Sequence, residues 1–195
     1  MQEQIDKIPL VSRDPGKFEK DFGHIAEEML CELLTEVPGV KKVELSSQYD
    51  DQMAEGKKID IIITDQIDKM TAIQLTLSND KEKRMKKINE LKDHPIITEL
   101  HDRQGNILLK NTVIPRAVVG CDLSEWGKAY NEAIGKGLNL KTGALANRNQ
   151  VKINVVKNII SSLEFGKNYQ KGYVKEFNNR IKFLNTSLKS LEASQ

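Results

Sequence analysis

The stretch GKKIDIIITDQIDKMTAIQLTLSND, residues 56–80, decides the fold. Within KIDIIIT, 58–64, isoleucine fills four of five successive positions, which suits a buried pleated strand better than a helix of that length. TDQIDKMT forms a polar turn, and AIQLTLS, 72–78, alternates apolar and polar from Ile73 onward. The pattern predicts two adjacent strands. Alternation sets Lys58, Asp60 and Ile62 on one side of the first and Ile59, Ile61 and Ile63 on the other; Gln74, Thr76 and Ser78 share one side of the second. If the polar faces match, Asp60, Gln74 and Thr76 converge. An aspartate inside an isoleucine run costs free energy unless it is paired or solvated, so a purpose is expected for Asp60.

Outward from this pair, Phe18, Phe22, Ile25, Ala26, Met29, Leu30, Leu33 and Leu34 recur at three and four, predicting an amphipathic helix from Gly16 to about Glu36 that Pro38 and Gly39 stop. VKKVELSSQYD, 40–50, reads as a strand running into a polar loop. NDKEKRMKKINELKDHP reads as a charged helix capped by Asn79 or Asp80, with a narrow stripe of Met85, Ile88 and Leu91 and an end at Pro95. A hairpin is expected around Arg103–Asn106, a strand near Ile114–Val119, and a helix through Trp126, Tyr130 and Ile134 capped by Ser124. Two helices, 149–164 and 168–192, follow, broken at EFGKN. The order predicts an α/β fold: a central mixed sheet of four to five strands flanked by helices, with a C-terminal helical extension. The expected division is an N-terminal extension, 1–15, an α/β core, 16–140, and a helical tail, 141–195.

Charge is distributed unevenly. Residues 141–195 carry ten Lys and Arg against three Glu, a net +7, while the remainder carries twenty against twenty-five, a net −5. A basic tail is either a surface for DNA phosphates or a solvated helical face. The two cysteines, Cys31 and Cys121, have no partner spacing for zinc or a redox pair, and no run of about eighteen apolar residues occurs. A reduced, cytoplasmic protein with neither export signal nor membrane span is expected. His24, His94 and His101 lack ligand spacing, and GKGLNLKTG lacks the order of a phosphate-binding loop. Trp126 and Tyr130 read as core or interface, and the tail aromatics Phe165, Tyr169, Tyr173, Phe177 and Phe183 as packing residues or a nucleic-acid clamp.

Asp60, the amide oxygen of Gln74 and a nearby main-chain carbonyl are hard oxygen donors of the kind that hold magnesium. With GHIAEEML, 23–30, supplying Gly23, Ala26 and Glu27, GKKIDIII supplying Asp60 and AIQLTLS supplying Gln74 and Thr76, residues 16–120 resemble the PD-(D/E)XK nuclease superfamily of restriction endonucleases and Holliday-junction resolvases. The resemblance implies a Mg²⁺ or Mn²⁺ ion held by Asp60, Gln74 and the carbonyl of Leu75, with Glu27 assisting, and hydrolysis of DNA phosphodiesters by a metal-activated water. Gln74 and Thr76 stand where the family has Glu and Lys. Gln keeps an oxygen but loses a charge; a threonine hydroxyl cannot replace the lysine cation. Lys58, two residues before Asp60, and Lys83, Lys86 and Lys87 on the following helix are the candidate substitutes. The alternative is a catalytically impaired member that binds nucleic acid or a protein partner. A third reading gives the tail helices a role in homodimerisation.

Overall fold

The computed structural model describes residues 15–45, 59–78, 80–101 and 106–194, with side chains of the first helix from Phe22 onward. The elements are α1 (Pro15–Thr35), β1 (Val40–Leu45), β2 (Ile61–Asp65), β3 (Met70–Leu77), α2 (Lys81–Asn89), β4 (Ile96–His101), β5 (Ile107–Cys121), α3 (Leu123–Gly135), α4 (Arg148–Lys167) and α5 (Val174–Glu192). Short 3₁₀ turns lie at Glu90–Lys92 and Lys171–Tyr173. The described strands form a five-stranded mixed sheet in the order β1-β2-β3-β5-β4; β3 and β5 run parallel and the other pairs antiparallel. A parallel pair needs a crossover, and α2 and β4 occupy the chain between β3 and β5. This is the α/β class expected from the order of elements.

Period-2 alternation sorts the sheet into two faces. Ile61, Ile63, Ile73, Ala117 and Val119 join the main core, where α1 contributes Phe22, Ala26, Met29, Leu30, Leu33 and Leu34, each fully buried. Burial of the Phe, Met and Leu side chains stabilises by about 2 kcal/mol each, and that of the Ala26 methyl by about 0.8 kcal/mol, so packing on the sheet holds α1 in place. Trp126 and Tyr130 of α3 sit in the same core, the Tyr130 ring 5.8 Å from that of Phe22. Ile62, Ala72 and Ile114 point the other way, into a smaller cluster with Ile97 and Leu100.

The last two helices belong to the main core. Ile153, Ile159 and Leu163 of α4 and Phe177 and Leu184 of α5 are buried in the same core cluster as the sheet and α1, with α4 and α5 packed on β5 and on each other. Gly39, at φ +84°, lets the chain turn into β1 under the Phe183 ring; a Cβ there would lie 2.7 Å from Phe183 Cε2. Ser187 Oγ donates to the carbonyl of Pro38 at 2.6 Å.

Several boundaries differ from expectation. β5 is a single 15-residue strand rather than a short one near 114–119, because its first half pairs with β4 and its second with β3. α3 is capped by Asp122, whose carboxylate accepts the N–H of Glu125, and not by Ser124. α4 continues through Glu164–Gly166 to Lys167, so the break falls after EFGK. The expected loop 46–57, the alternative cap Asn79 and the hairpin tip 102–105 lie outside the described residues. Among the described residues no helix is long and apolar enough to cross a membrane.

Candidate functional site

Asp60 stands one residue ahead of β2. Its N–H donates to the carbonyl of Ile73 at 2.9 Å, and its Oδ2 accepts the N–H of Leu75 at 2.7 Å. The register pairs Ile61 with Ile73, so the carboxylate extends the β2–β3 ladder past the point where the main chain of β2 leaves it. Strict alternation ends here: Ile59 joins the cluster of Ile62 instead of facing the side of Ile61. Asp60 is 2% exposed. A carboxylate that deep requires hydrogen bonds and a counter-charge.

The cation whose charge acts on it is Arg116, a residue that the sequence reading did not single out. It lies on β5 in register with Ala72, on the sheet face that also carries Gln74. Its Nη1 donates to the carbonyl of His94 at 2.8 Å and its Nη2 to Gln74 Oε1 at 3.4 Å. Burial pushes the guanidinium below its ordinary pKa, and the carboxylates of Glu90 and Asp60 push back. Asp60, Gln74 and Arg116 therefore form one buried polar cluster. The signal in the sequence was an arginine inside the apolar run VIPRAVVG, 113–120.

Two of the oxygen donors implied for a divalent ion already have protein partners. Gln74 points its oxygen at a guanidinium at 3.4 Å, and Asp60 spends one oxygen on the N–H of Leu75. No group of three or more His, Cys, Asp or Glu among the described residues could hold a metal. Glu27 stands on α1, which packs on the opposite sheet face, with its carboxylate 3.2 Å from His24 Nδ1. Thr76 pairs in register with Gly120 and is half-buried. Lys58 lies outside the described residues.

From the helix after β3, the side chain that reaches back is Arg84, not Lys83, Lys86 or Lys87. Arg84 Nη1 donates to the carbonyl of Ser78, and its stem crosses Gly120, where a Cβ would meet Arg84 Cδ at 2.8 Å. Cys121 lies beside it. Burial raises the Cys121 thiol well above its usual range and Cys31 to about 12, so neither is a thiolate near neutral pH.

The charged surfaces fall differently from the composition. Among the described residues, six of the ten tail cations are in ion pairs: Lys141 with Glu28, Arg148 and Lys152 with Glu36, Lys157 with Glu192, Lys167 with Glu164, and Arg180 with Asp65. Four of these six pair with the acidic body. Glu32 of α1 adds a knot without cations, accepting the N–H groups of Lys141 and Thr142 and the Thr142 hydroxyl at 2.9–3.0 Å. This anchors the GKGLNLKTG loop. In contrast, α2 (KEKRMKKIN) packs five cations and one acid into nine residues, none of them buried. Lys81, Lys83 and Lys86 are exposed and carry no ion pair among the described residues.

Beside α2 lies a cleft of about 530 Å³, walled by α2, the end of β5, the start of α3 and one flank of α4. It opens on the same sheet face as Gln74 and Thr76, since Val118 and Gly120, their partners in β5, line it. The chain matches no family model, no curated protein and no solved structure.

Proposed function

We propose that this chain is a nucleic-acid-binding module on a nuclease-like α/β core, and that it does not hydrolyse phosphodiesters by the metal route. The observation that carries this reading is α2: a helix with five cations and no buried residue, directly after the strand that bears Gln74 and Thr76. Unpaired lysines release condensed counterions when they meet phosphates, whereas cations already held by carboxylates have less to gain. That moves the expected DNA contact from the tail to α2. The resemblance of residues 16–120 to PD-(D/E)XK nucleases supports the class of partner. The Arg116 guanidinium on Gln74 Oε1, whose charge also acts on Asp60, argues against the ion that the resemblance implies.

Two measurements test it. Fluorescence anisotropy with labelled DNA should show affinity falling with salt, and changing Lys81, Lys83 and Lys86 together to Gln should lower the slope of log K on log[salt] by about 2–3. An unchanged slope would remove α2 from the interface. Incubation with supercoiled plasmid and Mg²⁺ or Mn²⁺ should give no nicking that Asp60→Asn abolishes; nicking that disappears in that variant would restore the nuclease reading.

A further inference from the structure

The cleft beside α2 has walls of unlike chemistry. On the α2 side stand Lys81 and Arg84; on the α3 side, Asp122 and Glu125; along α4, the exposed neutral amides Asn154 and Asn158. At one end, the Phe165 ring lines the cleft and stacks obliquely with Tyr169, the centroids 5.1 Å apart; Lys92 Nζ is 6.0 Å from each ring. Tyr169 is 46% exposed, although it belongs to no strand or helix that needs a ring there.

We propose that this groove binds single-stranded nucleic acid, with phosphates along Lys81 and Lys92 and bases turned toward α4, one of them stacked on Tyr169 beside Phe165. The proposal rests on the nucleic-acid reading above and narrows its substrate. Three features select this ligand. The acidic α3 wall repels phosphate, so a strand can lie only with its backbone on the α2 side, which aims its bases at the amides. Asn154 and Asn158 lie four apart on one helical face; Asn158 offers a donor and an acceptor to base edges, and Asn154, whose Oδ1 accepts from Gln150 Nε2 at 3.0 Å, offers its amide N–H groups. An aromatic pair beside Lys92 at the end of a groove with one cationic wall is a stacking platform, and it serves unpaired bases because duplex bases hide their faces from side chains.

The volume, about 530 Å³, lies within the roughly 300–1,000 Å³ of clefts that bury drug-sized small molecules. The N-termini of α2 and α3 are not phosphate sites. The carboxylates of Asp80 and Asp122 already accept the N–H groups of Glu82 and Lys83 and of Glu125.

The test uses the full chain and labelled 12-mer oligothymidylate against a 12-base-pair duplex. The single strand should bind more tightly than the duplex. Tyr169→Ala should weaken single-strand binding roughly fivefold to a hundredfold, the effect of one lost base stack, while leaving the salt slope and the thermal midpoint of the free protein unchanged. Tyr169→Phe should retain affinity. Lys81→Gln should lower the salt slope by about 0.7. If the duplex binds as well as the single strand and Tyr169→Ala is silent, the groove assignment is wrong, even though loss of binding in the triple α2 lysine variant would still support α2 as a DNA contact. If neither ligand binds, both readings fall together.

Discussion

Asp65 shows how much one side chain can organise. Its Oδ1 accepts the N–H groups of Ile67 and Lys69, both at 2.9 Å, closing the turn between β2 and β3, while its Oδ2 receives Arg180 from α5. Both charged partners are about 4% exposed. Asp65→Ala would leave a buried guanidinium unanswered and two turn N–H groups without their acceptor, which should destabilise the fold by about 3–5 kcal/mol; the urea midpoint measures it. Such pairs are hard to read from sequence, because partners 115 positions apart leave no local mark. Asp60 was legible as a polar residue that needed a reason, since it interrupts an isoleucine run. The reason was not legible: the strand departs from alternation at that residue, and the cation whose charge acts on it lies on β5.

At the scale of elements, α4 solves a problem that the sheet creates. Beyond the stretch of β5 that pairs with β4, the strand's outer edge has no neighbouring strand among the described residues, and Val118 there gives its N–H to Ser162 Oγ of α4 at 2.7 Å. Ser162 is 3% exposed, so Ser162→Ala should strand a buried donor and cost about 1–3 kcal/mol, checked by equilibrium unfolding. The helix was legible from its apolar spacing, but its length was not. Gly166 reads as a breaker; in the structure it is a point of close approach, where a Cβ would lie 3.2 Å from Phe177 and 3.3 Å from Pro95. β2, β3 and α1 were legible because burial on one or both faces writes a strong period into them.

For the whole molecule, the opposite charges of body and tail act largely within the chain. The hydrogen bonds from Arg148 hold the Glu36 carboxyl below its ordinary value of 4.5, against the opposing effect of burial, and Lys152 adds to them. A carboxylate lowered in the folded state stabilises the fold at pH above the unfolded value, and this contribution fades as the pH falls through the lower folded value. Wild type should therefore be more stable than Glu36→Gln at pH 7, and the gap between their urea midpoints should close progressively below about pH 4.5. A constant gap would mean that Glu36 acts through packing. Composition alone made the asymmetry visible but could not say whether the tail's cations face a partner or the acids of α1, since that depends on how helices 148–167 and 174–192 dock.

The hydrogen bond from Ser187 to Pro38 joins residues 149 positions apart, and Arg148–Glu36 and Arg180–Asp65 close loops of more than a hundred residues. Closing loops of that length precedes any gain from the contacts they bring, which slows folding. The buried faces of α1 and β2 thus wait for the last helix. A chain still emerging from the ribosome holds an unfinished core, and truncation after residue 140 would leave α1 and the sheet without the helices that cover them.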